Sequence, residues 1–249
     1  MDRDFYGQVI LITGGTGALG SKVSESFLNF SPRAIIITYR SETEMQELKA
    51  KILERSNGEQ KENHHTPVEF VKVDITHEDE VKTLISNILE KFGQIHILAN
   101  VVGGYFGGKS ASETSEEEWD KMMSINLKSA FLISKHVLTS MKKKKFGKIV
   151  HVSSATGAKA NGNDSAYAAS KAGLIRLVES MAEETKGLNI NINCILPTII
   201  DTESNRRAMP TSNFSTWITP EEVAKTICFL SSNDSEVING VALPTRGTS

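Results

Sequence analysis

The feature that most constrains this chain is an alternation. Short runs of apolar, mostly β-branched residues recur at 8–13, 34–39, 68–73, 95–100, 148–153, 191–196 and 241–245. Most are apolar at successive positions rather than at every second one, which suits strands buried on both faces. Longer helical patterns fill the gaps at about 18–30, 42–56, 77–92, 115–143, 164–186 and 219–232. The last begins Thr219-Pro220-Glu221-Glu222, a capping hydroxyl, a proline in the first turn and early acids. Strand–helix alternation predicts βαβ units, and hence an α/β fold with a doubly wound, seven-stranded parallel sheet and helices on both faces.

Length and composition fit one such domain spanning 1–249. The 249 residues are 39% hydrophobic and 23% charged, enough for a full core, and no linker or internal repeat interrupts them. A formal net charge of −2 gives no basic field for nucleic acid or an anionic membrane. The one basic run, Lys142–Lys145, reads as a solvated helix end. No apolar stretch approaches the roughly 18 residues of a membrane span, and Asp2, Arg3 and Asp4 break up any leader-like start. Cys194 and Cys228 sit in apolar runs and read as buried thiols, with neither a disulfide framework nor a metal site. A cytoplasmic setting is expected. The polar stretch 56–66, with His64 and His65, reads as a surface loop. The stretch 198–217 is long and irregular, the kind of segment that forms a lid or a partner surface.

Two motifs carry chemistry. The first strand runs into Gly14-Gly15-Thr16-Gly17-Ala18-Leu19-Gly20, in which Gly15, Gly17 and Gly20 fit G-x-G-x-x-G between a strand and a helix. Such glycines permit a tight turn and close backbone approach, and the helix N-terminus offers N–H groups to a pyrophosphate. After the second strand comes Thr38-Tyr39-Arg40-Ser41, with no acid before Glu42. An acid there would bind the ribose 2′-hydroxyl of NAD, whereas Arg40 suits a 2′-phosphate, so NADP(H) is favoured and NAD(H) remains possible. The second motif is Tyr167-Ala168-Ala169-Ser170-Lys171, which puts a phenol and an ammonium on one helix face. A tyrosine near pKa 10 is a poor acid or base at neutral pH, and a cation beside it lowers that value. Ser154 ends the fifth strand region, thirteen positions before Tyr167.

Taken together, Thr13–Gly20, Asp74, Asn100–Gly103, Asn126, Ser153-Ser154, Tyr167 with Lys171, and Pro197–Thr202 resemble the short-chain dehydrogenase/reductase family along essentially the whole chain. The resemblance implies a Rossmann fold and reduction of a carbonyl, or oxidation of an alcohol, by a nicotinamide cofactor. It implies Tyr167 as proton donor and acceptor, Lys171 as modulator of its pKa and ribose ligand, Ser154 as the carbonyl-orienting hydroxyl and Asn126 as anchor of a proton relay. Its implied cofactor contacts are Gly14, Thr16, Gly17, Leu19, Arg40, Asp74 and Ile75 around the adenosine and pyrophosphate. Asn100, Val102, Gly103, Tyr167, Lys171, Ile200 and Thr202 would stand toward the nicotinamide. A homotetramer or homodimer built on helices 115–143 and 164–186 is also implied. Ala18 stands where the family has a second loop glycine, Val101-Val102 replace an Asn-Ala pair, and Thr198 replaces a glycine.

Gly103–Gly108 and the pattern from Leu196 to Trp217 are similar to segments of dihydropteridine reductase, a family member that lacks the serine and uses an acid after the second strand. A pterin is therefore an alternative substrate, and a dinucleotide sensor without turnover is an alternative class. Tyr105, Phe106, Met209 and Trp217 are candidates for an apolar substrate wall, and Arg206 or Arg207 for an anion contact.

Overall fold

The computed structural model describes residues 5–58 and 66–247; His64 and His65 lie outside them. All seven expected strands form: β1 (Val9–Thr13), β2 (Ala34–Tyr39), β3 (Val68–Lys72), β4 (Ile97–Asn100), β5 (Gly147–Val152), β6 (Ile190–Pro197) and β7 (Ala242–Thr245). They make one sheet in the order β3-β2-β1-β4-β5-β6-β7, with every neighbouring pair parallel. The order reverses between β1 and β4, the switch point at which open α/β sheets bind ligands.

Side chains alternate across the sheet into two separate cores. Val9, Leu11, Ala34, Ile36 and Ile192 face helices α3 (Glu78–Phe92), α5 (Ser129–Lys144) and α7 (Ser165–Glu184). Ile10, Ile12, Ile35, Ile37 and Ile195 face α1 (Ala18–Leu28), α2 (Glu42–Gly58) and α9 (Pro220–Ser231). Central strands are buried on both faces, which is why their sequence shows no period of two. The α9 start reads as expected: Thr219 and Glu222 form a capping box around Pro220.

Three elements differ from the sequence reading. The helix expected over 115–143 begins at α4 (Glu116–Met123), passes through one π-helical turn, Ser124–Lys128, and continues as α5. A four-residue helix, α6 (Ala155–Ala158), follows β5. The stretch 198–217 is less irregular than expected. It holds α8 (Glu203–Ala208) and a 3₁₀ turn, Phe214–Thr216, and a bridge from Ile200 to Ile218 ties its ends together. Short helices escape sequence reading because one turn of periodicity is no pattern at all. No helix among the described residues is long and apolar enough to cross a membrane.

Candidate active site

At the switch point the β1–α1 loop and the loop after β4 enclose a cleft of about 450 Å³. Gly14, at φ +65°, turns the chain; a Cβ there would lie 2.9 Å from Val102 Cγ2. Gly20 lets α1 cross directly over the loop, since a Cβ on it would run into the Gly14 carbonyl. The loop therefore presents backbone rather than side chains, below the α1 N-terminus that Gly17 caps. Gly14, Thr16, Gly17, Leu19, Arg40, Asp74, Ile75, Val102 and Gly103 all line this cleft. Such a peptide cradle fits the pyrophosphate of a dinucleotide, and its far end fits an adenosine.

That far end is open and charged. Arg40, 63% exposed in its side chain, pairs with Asp74 at 3.4 Å. Asp74 also accepts from the Thr76 amide at 2.9 Å and the Thr76 hydroxyl at 2.7 Å. Burial raises the Asp74 pKa, but these bonds and the Arg40 charge outweigh it and hold the carboxyl below its ordinary value. One acid that sequence reading missed also lines the cleft: Glu44, in the first turn of α2, accepts from the Thr16 hydroxyl at 3.3 Å. Only the helical geometry of α2 brings it back toward the loop.

Beneath the cleft, Thr13, Asn100 and His151 are register partners on β1, β4 and β5. The Thr13 hydroxyl donates to Asn100 Oδ1 at 2.5 Å, and the Asn100 amide lies 2.9 Å from His151 Nδ1. An amide N–H donates, so Nδ1 accepts and His151 Nε2–H faces Ser134 Oγ at 3.0 Å. Burial, reinforced by the Lys171 charge, lowers the His151 pKa to about 3, so the ring is neutral. Asn100 is thus fixed below the cleft rather than opening into it.

The second group of expected residues assembles beside Gly103. The π turn aims Asn126 inward, where Oδ1 accepts from Gly104 N–H at 2.9 Å and Nδ2 donates to the Gly104 carbonyl at 3.0 Å. Nδ2 also lies 3.1 Å from Ser170 Oγ. A Cβ on Gly103 would touch both Asn126 Oδ1 and Lys171 Nζ at 3.1 Å, so those two groups flank one small space. Ser154 caps α6 by accepting from the Thr156 amide at 3.2 Å, and its hydroxyl is close enough to the Tyr167 phenol to lower the phenol's pKa. The short helix α6 lies directly on α7: a Cβ on Gly157 would come within 2.8 Å of the Lys171 carbonyl carbon. Ser153 Oγ donates to the same Lys171 carbonyl at 2.9 Å.

The electrostatics differ from the sequence expectation. Lys171 is buried and donates to the Val152 carbonyl at 2.9 Å, with Nζ 5.9 Å from the Tyr167 ring centroid. Burial lowers its pKa to about 8. Tyr167 stands above its ordinary value rather than below: burial raises it, the Ser154 hydroxyl opposes this, and Asp164 raises it further. Desolvation of the phenol is the largest of these effects and outweighs the neighbouring Ser154 hydroxyl.

Several candidates make contacts of their own outside the cleft. Ile200 and Thr202 do not line the cleft; Thr202 caps α8 and the Ile200 carbonyl takes the Asn205 amide at 2.8 Å. Arg206 is engaged by Asp201 in a two-pronged pair at 2.5 and 2.7 Å and lies 4.8 Å over Phe214, and Arg207 pairs with Glu203. Trp217 is buried against Phe214, their centroids 4.8 Å apart. Tyr105 does stand at the site, its ring edge-on to Tyr167 at 5.0 Å.

A peptide cradle at the switch point and a Ser–Tyr–Lys group at the adjoining strand end define a class of dinucleotide-dependent oxidoreductase. The family model for short chain dehydrogenases matches residues 8–213. The chain belongs to the short-chain dehydrogenase/reductase family. It is 31% identical to the uncharacterized oxidoreductase YvrD of Bacillus subtilis, over 99% of this chain and 98% of that one. It is 29% identical to the 3-oxoacyl-(acyl-carrier-protein) reductase FabG of Thermotoga maritima, over 97% of each. Among solved structures, levodione reductase superposes with a TM-score of 0.85 at 27% identity, covering 98% of this chain and 97% of that one. ElxO with NADP bound superposes equally well at 27% identity, covering 96% and 97%. The chain is an oxidoreductase of this family, acting on CH–OH or C=O groups of a small molecule with a nicotinamide dinucleotide. These relatives favour neither a pterin substrate nor a sensor without turnover.

Proposed function

We propose that this chain is an NADP(H)-preferring carbonyl reductase in which Tyr167 delivers the proton. The observation that carries the reading is the grouping of Tyr167 with Lys171, whose Nζ lies 5.9 Å from the ring centroid, with Asn126 flanking the same space at Gly103 and Ser154 beside the phenol. When bound, the dinucleotide supplies the hydride; the chain supplies everything else. Ser154 and Tyr167 hold the carbonyl oxygen between two hydroxyls. Tyr167 passes its proton to that oxygen, and its raised pKa suits a group that arrives protonated. Lys171 and Asn126, flanking the space at Gly103, are placed to return a proton to the phenol from the interior side. Gly14, Thr16, Gly17, Leu19, Ile75, Val102 and Gly103 would hold the dinucleotide, with Asp74 at the adenine and Arg40 at the 2′-phosphate. Arg40 and the likeness to ElxO with NADP bound support the phosphorylated cofactor.

Trp119 and Phe131 are exposed on the helix formed by α4 and α5, which supports a homodimer or homotetramer built on that helix. The whole chain reads as one domain, and its two buried thiols, Cys194 and Cys228, suit a reducing cytoplasm.

The test is oxidation of NADPH with a panel of ketones, quinones and a quinonoid dihydropterin, repeated with Tyr167→Phe. Loss of a general acid costs about 10²–10⁴ in rate, while NADPH binding should persist. Near-normal turnover by Tyr167→Phe on the best ketone would overturn the assignment of the proton donor.

A further inference from the structure

Beside Tyr167 stands a small construction that the reaction as described does not use. Tyr105, from the loop after β4, is 65% exposed, yet its hydroxyl donates to Asp164 Oδ1 at 2.9 Å. Asp164 immediately precedes α7, three residues before Tyr167. The Tyr105 ring meets the Tyr167 ring edge-on at 5.0 Å. Gly107 makes the arrangement possible: a Cβ there would lie 2.5 Å from the Tyr105 hydroxyl and would strike Asp164. Gly108, at φ +88°, completes the dock by donating its N–H to the Asn163 carbonyl at 2.8 Å. An aromatic face and a carboxylate are thus held together at the mouth of the site by two contacts between distant loops.

The charge balance at this mouth is uneven. The cations on the flanking segments are committed to carboxylates of their own: Lys109 to Glu118 at 2.5 Å, Arg206 to Asp201 and Arg207 to Glu203. Lys159 is exposed at the end of α6 remote from Ser154. Asp164 takes only the neutral Tyr105 hydroxyl among its described partners, and its charge reaches Tyr167. A substrate carboxylate would have to pass that charge on its way to the Ser154–Tyr167 hydroxyls, while the Lys171 ammonium lies 5.9 Å from the Tyr167 ring centroid with an N–H on the Val152 carbonyl.

We infer that Tyr105 and Asp164 select the substrate: an uncharged ketone carrying a flat, unsaturated ring, in preference to a keto acid. The inference rests on the carbonyl-reductase reading above. The ring packs against Tyr105, and Asp164 both fixes Tyr105 and excludes anions. In the reaction the carbonyl carbon takes the hydride and the oxygen takes the Tyr167 proton, leaving a neutral secondary alcohol.

The test uses two aryl ketones that differ at one group, phenylpropanedione and benzoylformate, with NADPH and the intact enzyme. The wild type should favour the dione in kcat/KM. Asp164→Asn keeps the size of the side chain and a hydrogen-bond acceptor for Tyr105. It should shrink the dione-to-benzoylformate ratio by about tenfold, the scale of one charge interaction at partly solvated range. Any change in Tyr167 acidity affects both substrates and cancels in the ratio. Tyr105→Ala should raise KM for the dione more than it lowers kcat. An unchanged ratio in Asp164→Asn overturns the selection by charge. An unchanged KM in Tyr105→Ala overturns the ring contact. Turnover of other ketones without either aryl ketone overturns the substrate class alone. Failure with every carbonyl in the wider panel, NADPH being bound, overturns the reductase reading itself.

Discussion

The two halves of the site are built on opposite plans. The adenosine end is open, and its recognition groups are charged side chains on the rim, with Arg40 and Asp74 paired across it and Glu44 nearby. The catalytic end is closed: Asn126 and Lys171 are almost wholly buried, and each is held by backbone contacts at about 3 Å. Exposed ion pairs are worth little and rearrange easily. Buried groups fixed by close packing do not. Cofactor choice should therefore respond gradually to substitution, whereas chemistry should fail abruptly when its packing is disturbed.

The sharpest way to break that contrast is Gly157→Ala. The added methyl must push α6 away from the Lys171 backbone and carry Ser154 with it. A displacement approaching 1 Å costs about a hundredfold in turnover. The expected pattern is a large fall in kcat with NADPH affinity little changed, read from steady-state kinetics and a binding titration. Equal losses in both would mean that the two halves are not independent.

Arg40→Ala probes the gradual side. A charge-assisted contact to phosphate, discounted for exposure, is worth about tenfold in affinity. NADPH should weaken by that factor and NADH should not, in dissociation constants measured side by side. Equal affinities in the wild type would remove Arg40 from cofactor selection.

His151 sharpens the comparison through pH. Its pKa falls from 6.5 to about 3 on folding, so between those values the unfolded chain holds a proton that the native ring does not. Acidification through that window therefore favours unfolding. The wild type should lose about 1 kcal/mol more than His151→Gln between pH 6.5 and 5.5, from this group alone, in denaturant titrations. Parallel losses would show that the native ring takes up its proton over the same pH range as in the unfolded chain.

The smallest effect is expected over residues 203–216. The bridge between Ile200 and Ile218 anchors the segment at its base, while α8 is held by exposed ion pairs. Hydrogen exchange there should slow on adding NADPH with substrate, more than in β5. Exchange that is already slow and unresponsive would make the segment a fixed wall.

Legibility in the sequence follows the same division. The strands, the glycine loop, Arg40, and the Tyr167–Lys171 pair rest on local spacing, and local spacing survives in one dimension. Glu44 did not show itself because the start of α2 does not say which side of its first turn packs against a loop 28 positions away. Tyr105 and Asp164 are 59 positions apart, and nothing in either neighbourhood names the other. Gly157 looks like an ordinary turn residue until α7 is laid against it. The resemblance to the family put Ile200 and Thr202 at the cofactor; that Thr202 also caps α8 could not be read, because that helix is too short for periodicity to reveal.

The π turn at Ser124–Lys128 has a further effect on the helix that carries it. One residue more than an α-helical turn requires rotates everything after it by about 100° relative to everything before. The helix is thereby two phases joined at a coupling. Upstream, the phase is set by Met122, buried beside Asn126, which the turn itself points at Gly104; downstream, by Ala130, Ile133, Val137 and Met141 facing the sheet. A continuous α-helix could satisfy one of these alignments and would leave the other turned away. Deleting a single residue from the turn would accordingly act at a distance, either swinging the amide out of the site or presenting Lys135 and Lys142 to the core, with no change in any side chain that touches the substrate.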